Sequence, residues 1–379
     1  MKIGILCYPT YGGSGVVATE LGQALAKEGH QVHFINYSQP VRLEFFANNI
    51  FFHEVRIMKY PLFEYPPYEL ALISTITDVV AHENLDILHV HYAIPHAFAA
   101  YSAKLMLKEK GFNIPVITTL HGTDITLVGK DASFQTAVEI SINHSDSVTA
   151  VSRFLKDETY QLFNIKQDIE VIPNFVDKSR FYKKNNEFFK HAIAPEGERI
   201  ICHTSNFRKV KRVEDVIHIF SGIRKNMDAK LLLVGDGPDR NKVEHKCRES
   251  NYCGDIRFLG KVDSVEDVLS VSDLFLLPSE TESFGLAALE ALACEVPVVS
   301  SNAGGLKELI EEGFNGYTRP IGDIEGMTEA SLEILSEENL EAFKKRALES
   351  TIKFEIGAIL PMYEKLYDSV IEKDIESTV

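Results

Sequence analysis

Two glutamates, Glu282 and Glu290, stand eight positions apart in the run Glu282-Ser-Phe-Gly-Leu-Ala-Ala-Leu-Glu290. A strand-like stretch, Asp273-Leu-Phe-Leu-Leu-Pro278, leads in, and a helix-like stretch, Gly285 to Cys294, leads out. The spacing predicts Glu282 at the mouth of a helix and Glu290 within it, about two turns on. The peptide N–H groups of Phe284, Gly285 and Leu286 in such a start have no intrahelical acceptor. With the positive end of the helix dipole they form an anion site. A carboxylate beside a phosphate site makes chemical sense when the ligand also carries hydroxyls. The expected ligand is therefore a nucleotide sugar, with its diphosphate on the Ser283–Leu286 turn, its sugar hydroxyls on Glu282 and its ribose hydroxyls on Glu290.

An anionic ligand needs local cations here, because the chain carries a net charge of −16. Arg208-Lys209-Val210-Lys211-Arg212 supplies four in five residues. A solvated helix start is the bland alternative. The first strand runs into Pro9-Thr-Tyr-Gly-Gly-Ser-Gly-Val-Val17, where Gly13, Ser14 and Gly15 bring backbone close to a bound group at a helix start. A dinucleotide site would place an acid at the end of the second strand. Phe34-Ile-Asn-Tyr-Ser-Gln39 has none, which argues against a nicotinamide dehydrogenase.

His121-Gly-Thr-Asp124 follows the strand Pro115–Leu120, at the end where open α/β sheets bind ligands. His121 is expected to bond a sugar hydroxyl or the reacting centre. His89 and His91 share one strand face, and with His96 and His121 they are a conceivable metal cluster. No acid–histidine ligand motif accompanies them, so no metal is expected. Tyr92, at that strand's end, is the better ligand candidate. Ser152 reads as an N-cap, which puts Arg153 in a first helical turn, where a cation is disfavoured unless it faces an anion. Gly235-Asp-Gly-Pro238 and Gly260-Lys-Val262 close two further strands, and Gly235 and Val262 are placed beside the nucleotide.

These residues must be positioned by a scaffold. A length of 379 residues favours two domains. With 45% hydrophobic and 25% charged residues the chain reads as globular, and no apolar run reaches the roughly 18 residues of a membrane span. The opening Met1-Lys-Ile-Gly-Ile-Leu-Cys-Tyr8 reads as a strand rather than a signal peptide, so the expected location is cytoplasmic. The acidic balance leaves no global attraction for nucleic acid or anionic membrane. The five cysteines are odd in number and form no CxxC pair, which argues against a disulfide framework or structural zinc.

Short apolar runs alternate with amphipathic ones. Strands are expected near 2–7, 31–35, 86–91, 115–119, 147–151 and 169–172, then 200–204, 230–234, 256–259, 273–277, 296–300 and 316–318. Helical patterns lie between them and fill 325–350 and 355–373. The fold class is α/β: two doubly wound, Rossmann-like αβα domains on either side of a cleft. The expected boundaries are 1–173 for the first domain, 174–199 for a linker and 200–357 for the second domain.

Taken in order, the glycine turn, His121–Asp124, Ser152-Arg153, Ile172-Pro-Asn174, the loop 205–212, Gly235–Pro238, the Glu282–Glu290 pair and Asn302-Ala-Gly-Gly-Leu-Lys-Glu308 resemble the GT-B glycosyltransferases, specifically retaining family 4. The resemblance covers nearly the whole chain. It implies a donor site on the second domain, an acceptor site on the first, a C-terminal segment near 358–379 returning to the first, and no metal cofactor. The family usually carries Gly-Arg followed five positions on by Lys. Here Ser205-Asn206 stands in place of Gly-Arg and Lys211 keeps the lysine, so Arg208 or Arg212 is left to supply the guanidinium, and Asn206 becomes a ligand candidate.

A tighter match within this group, carried by Cys7–Gly15, His89–His96 and Ser205–Arg212, implies UDP-N-acetylglucosamine as donor, L-malate as acceptor and the first step of bacillithiol biosynthesis. The resemblance favours front-face attack, with Lys211 neutralising the leaving phosphate, Glu282 gripping the sugar and His121 orienting it. The acceptor would then lie on Gly13, Ser14, Tyr92, Thr119, Thr123 and Arg153. Another acceptor within the family, a UDP-N-acetylglucosamine 2-epimerase and a sugar-nucleotide sensor stay open alternatives, as does a homo-oligomer.

Overall fold

The computed structural model describes residues 1–10, 12–44, 47–58 and 60–378. They form two compact units, Met1–Asn174 with Ile356–Val379 and Phe175–Glu355.

The first unit is built on a parallel sheet of β1 (Lys2–Leu6), β2 (Gln31–Asn36), β3 (Ile50–Glu54), β4 (Ile87–His91), β5 (Val116–Leu120), β6 (Ser147–Ala150) and β7 (Ile169–Val171), in the order β3-β2-β1-β4-β5-β6-β7. Its helices include α1 (Gly13–Lys27), α2 (Tyr68–Glu83), α3 (Phe98–Glu109), α4 (Ala132–Asn143) and α5 (Arg153–Leu162). Every residue of β4 and β5 is buried, which is why these strands read as near-continuous apolar runs. Local chemistry sets the helix ends. Asn84 stops α2 in a left-handed conformation, and the Asp131 and Ser152 side chains accept from Ser133 N and Leu155 N to cap α4 and α5. The strand β3 is additional to the expected set. Ile50-Phe51-Phe52-His53-Glu54 has no alternating pattern, and both phenylalanines are exposed at the sheet edge.

The second unit has α6 (Glu187–Ile193), β8 (Arg199–Thr204), α7 (Val213–Arg224), β9 (Ala229–Val234), α8 (Arg240–Glu249), β10 (Ile256–Gly260), α9 (Val265–Val271), β11 (Leu274–Leu277), α10 (Leu286–Ala293), β12 (Val298–Ser301), α11 (Leu306–Leu309), β13 (Gly316–Arg319), α12 (Ile324–Leu335) and α13 (Leu340–Ser350). The sheet is parallel in the order β10-β9-β8-β11-β12-β13. Its core joins Ile217 and Phe220 of α7 to Leu231, Leu233, Leu276, Met327 and Ile334.

Residues 175–199, read from sequence as linker, belong to this unit. Phe175, Phe181 and Ile193 are buried, and Val176 bridges to Glu355. A second departure is a disulfide between Cys247 and Cys253, whose Cα atoms lie 5.2 Å apart. Spacing alone did not reveal it, because the pair meets only when the chain turns back at Ser250 after α8. Cys7, Cys202 and Cys294 are free and buried. The chain closes with α14 (Ile356–Thr378), whose Tyr363 and Tyr367 are buried in the first unit.

Candidate active site

Each sheet reverses its strand order once, between β1 and β4 in the first unit and between β8 and β11 in the second. Loops leaving the carboxyl ends of strands at such a reversal diverge to opposite faces and open a crevice for ligands.

In the first unit the loops after β1 and β4 bring Ser14 and Tyr92 together, and the Ser14 hydroxyl donates to the Tyr92 hydroxyl at 2.9 Å. Gly15 packs flat against the turn before it, where a Cβ would sit 2.3 Å from the Tyr8 carbonyl oxygen. Its small size therefore serves the strand-to-helix junction. Tyr92 has a positive φ of 89°, a strained backbone for a side chain of this size and a common mark of a functional position. Its ring lies 5.5 Å from that of His121, centroid to centroid. Thr123 follows in the turn after β5, and Arg153 opens α5 as an exposed side chain behind the Ser152 cap.

Behind this surface is a hydrogen-bonded group in which His89, His91 and His96 are buried and His121 is partly buried. His121 Nε2 lies 2.8 Å from His91 Nδ1, and His96 Nδ1 lies 2.8 Å from the His91 carbonyl oxygen. His89 bonds the hydroxyls of Tyr367 and Thr119. Burial holds these imidazoles neutral, pulling His89 and His121 down to about 3 and His96 to about 4. The four histidines form a packing and hydrogen-bond network. Thr119, expected on the acceptor, is instead fully buried, with its hydroxyl committed to His89 and Thr149. Asp124 is also structural. It accepts from the amides of Ala93 and Gly122 and so ties the turn after β5 to the loop after β4. Burial pushes its carboxyl up to about 6 against the opposing effect of those amides.

In the second unit the loop after β8 is anchored by buried Phe207, while Asn206 and Arg208 on either side are exposed. Gly235 braces it. Its φ is 118°, and a Cβ there would lie 1.8 Å from the Ser205 carbonyl oxygen. Ser205, where the family has glycine, bonds His203 Nε2 through its hydroxyl at 2.8 Å. Lys211 Nζ lies 2.6 Å from Glu282 Oε1, across the reversal from β8 to β11. The Ser279 hydroxyl donates to the same oxygen at 2.8 Å. Gly285 ends this loop in a left-handed conformation, at φ 97°, and α10 starts at Leu286. Ser283 and Phe284 lie in this loop, and Glu290 is buried on α10. Val262 lies in the loop after β10.

Of the four cations of the basic loop, the three candidates for the diphosphate separate by partner. Arg212 donates to Asp215 at 2.6 Å and to Glu280 at 3.1 Å, so it straps α7 to the loop after β11 instead of facing a ligand. Lys211 is held by Glu282. The Arg208 side chain makes no hydrogen bond or ion pair among the described residues, and its guanidinium is exposed.

Sequence reasoning missed Ser279, Glu280, His91 and His203 as parts of these sites. The first two stood next to the strand end that was read correctly. His91 was seen only as a metal candidate, although its face-sharing with His89 was the signal. Among the described residues the one group close enough to share a metal ion is His33, His53 and Glu83, with donor atoms within 4.8 Å of one another. His33 Nδ1 and His53 Nε2 already share a hydrogen bond at 3.0 Å, and the Lys2 ammonium binds the Glu83 carbonyl beside them.

Residues 11–180 match the model of Glycosyltransferase Family 4, and residues 184–350 match that of Glycosyl transferases group 1. N-acetyl-alpha-D-glucosaminyl L-malate synthase of Bacillus anthracis is 46% identical over 377 residues, covering 99% of this chain and 98% of that protein. The chain is a family 4 glycosyltransferase. An uncharacterised glycosyltransferase of Methanocaldococcus jannaschii is 26% identical, covering 95% of this chain and 97% of its own. Among solved structures, Anabaena Alr3699/HepE in complex with UDP and glucose superimposes with a TM-score of 0.81 at 17% identity, covering 97% of this chain and all of that one. Sucrose-phosphate synthase from Thermosynechococcus elongatus gives 0.80 at 20% identity, covering 98% and 100%. These likenesses show the GT-B fold of the glycosyltransferase. Its family 4 segment carries Ser14, Tyr92, His121 and Arg153, and its group 1 segment carries Lys211, Glu282 and Glu290. No helix among the described residues is long and apolar enough to cross a membrane.

Proposed function

We propose that this glycosyltransferase moves N-acetylglucosamine from UDP-N-acetylglucosamine to the hydroxyl of L-malate, with retention at the anomeric carbon and without a metal ion. The observation that carries the reading is the identity of 46% over 99% of the chain to an enzyme named for that product. The site chemistry supports it. Arg208, Lys211 and the first-turn amides of α10 supply positive charge for a diphosphate. Glu282 and Glu290 supply acceptors for sugar and ribose hydroxyls, with Asn206, Ser283, Gly235 and Val262 around the nucleotide. On the first unit Arg153 offers a cation for a carboxylate of malate, and Gly13, Ser14, Tyr92 and Thr123 offer hydrogen bonds.

In the proposed step the bond from the anomeric carbon to the β-phosphate oxygen breaks and the bond to the malate hydroxyl oxygen forms. The hydroxyl proton passes to the leaving phosphate, giving UDP and the glycoside. Double displacement needs a carboxylate free to attack. Asp124, the acid nearest His121 in sequence, spends both oxygens on backbone amides, which favours front-face attack. Lys211 neutralises charge as it grows on the leaving group. The reading includes a cytoplasmic setting, and the net charge of −16 supports the absence of a nucleic-acid or anionic-membrane partner.

The test is incubation with UDP-N-acetylglucosamine and a panel of small hydroxy acids, measuring UDP release together with product mass. Release with malate and formation of the α-glycoside are expected. UDP release with another acceptor alone, or N-acetylmannosamine formed without acceptor, would replace this reading.

A further inference from the structure

His96, His91 and His121 form a line in which the position of each proton can be deduced. His96 Nδ1 faces the carbonyl oxygen of His91 at 2.8 Å. A carbonyl oxygen only accepts, so neutral His96 carries its proton on Nδ1 and leaves Nε2 as a bare lone pair. His91 Nδ1 faces His121 Nε2 at 2.8 Å. Both rings are neutral, because burial holds His91 well below the ordinary imidazole range and His121 near 3. One proton therefore lies on that line, and it belongs to one ring or the other.

The two arrangements differ at the far side of His91. If the shared proton sits on His121 Nε2, neutral His91 must carry its own on Nε2. That atom is buried and meets no hydrogen-bond partner. Its neighbour His89 offers no acceptor, since both His89 nitrogens are engaged by Tyr367 and Thr119. If the proton sits on His91 Nδ1, the buried Nε2 is only an unused lone pair, as at His96, whose Nε2 is equally buried and unpartnered. A buried N–H without an acceptor is the rarer and costlier defect.

We propose that His91 is a positioning residue that fixes His121 as its Nδ1–H tautomer, so that His121 presents a hydrogen-bond donor, and not a base, to the substrates. The ring of His121 is only partly buried and lies beside Tyr92. The donor orients an acceptor oxygen of the sugar or of the carboxylic acid. The proton lost by the attacking hydroxyl then has to go elsewhere, which deepens the front-face reading and rests on it for the identity of the substrates. The tautomer itself does not depend on that reading.

Two measurements test this. The first is nitrogen NMR of the wild-type full chain with 15N-labelled histidine, the His121 signals being assigned by their loss in His121→Asn. A protonated Nδ1 and a bare Nε2 on His121 are expected, and the reverse pattern overturns the proposal whether or not the enzyme uses malate. The second compares His91→Asn, whose amide can still donate toward His121, with His91→Met, which cannot. Turnover within about threefold of wild type is expected for His91→Asn, and a loss of roughly tenfold in kcat/KM for His91→Met with UDP affinity unchanged. Equal turnover in His91→Met and wild type would refute a positioning role. Should His91→Met fail to fold, the wild-type spectrum still decides.

Discussion

The Ser14 hydroxyl donates to the Tyr92 hydroxyl at 2.9 Å, and that bond joins the start of α1, which follows β1, to the loop after β4, β1 and β4 being the two strands between which the first sheet reverses its order. The second sheet repeats the relationship with charged groups, where Lys211 and Glu282 meet at 2.6 Å between the loops after β8 and β11. Each αβα unit thus places its most specific polar pair at the point where its topology opens a crevice.

Tyr92→Phe removes the acceptor of the Ser14 hydroxyl and one hydrogen bond from the proposed malate site. A hydrogen bond of this kind contributes about 1 kcal/mol. The KM for acceptor should rise roughly five- to tenfold, while the KM for donor stays within about twofold. Steady-state UDP release at varied malate and varied donor separates the two. A donor KM that rises in step would move Tyr92 out of the acceptor site.

Lys211 and Glu282 should respond differently to removal. Lys211→Ala takes away the cation that faces the leaving phosphate and strands a mostly buried carboxylate. The expectation is a fall in kcat of about 10²–10³ with weaker UDP binding. Glu282→Gln frees the ammonium, so turnover should drop while UDP affinity is held or increased. Calorimetric titration with UDP distinguishes them, and weaker binding in both variants would mean that the pair acts as a single phosphate clamp.

Arg208 and Arg212 are close in sequence but opposite in expectation. Arg208→Ala should weaken UDP binding about 10- to 100-fold with no change in melting temperature, since a charge-assisted bond to phosphate is lost and nothing inside the protein is. Arg212→Ala should lower Tm by about 2 °C, because it cuts the strap to Asp215 and Glu280, and leave UDP binding near wild type. Reversed results would exchange the roles of the two arginines.

Exhaustive dialysis against EDTA should leave turnover within about twofold of the untreated enzyme, since the proposed charge neutralisation is done by Lys211, Arg208 and helix amides. Turnover that falls and is restored by Mg²⁺ or Mn²⁺ would overturn the metal-free reading.

The strands that carry the sites were legible because they are buried on both faces and read as apolar runs, as in Ile87–His91 and Leu274–Leu277. The loops at their ends were found by the same logic. The edge strand Ile50–Glu54 was missed because half-exposed phenylalanines break the pattern that burial writes into a sequence. Which side chain faces a ligand was harder to read. Thr119 and Arg212 have the right chemistry and the right address, yet one hydroxyl is absorbed by His89 and Thr149 and one guanidinium by Asp215 and Glu280. Apart from Arg212–Asp215, three positions apart, these pairings join residues 30 to 68 positions away, and no local spacing encodes them.

The histidine network of the first unit sets the pH behaviour. His89, His91, His96 and His121 all have folded pKa values far below 6.5, the value an exposed histidine keeps in the unfolded chain. Between those limits the unfolded chain binds protons that the folded chain refuses, so stability is complete above about pH 6.5 and is lost as pH falls below it. Asp124 acts in the opposite sense. Its carboxyl, raised to about 6, makes the folded state the better proton binder between its ordinary value and 6. One carboxyl offsets only part of what four imidazoles contribute, so the net direction is acid destabilisation. Melting temperatures taken at pH 8.5, 7.5 and 5.5 should be level between the first two and clearly lower at the third. Over pH 6.5 to 8 the same neutrality predicts that kcat/KM shows no limb from His121. A limb near pH 6.5 that disappears in His121→Asn would show that His121 titrates in the working enzyme, and would make it a base after all.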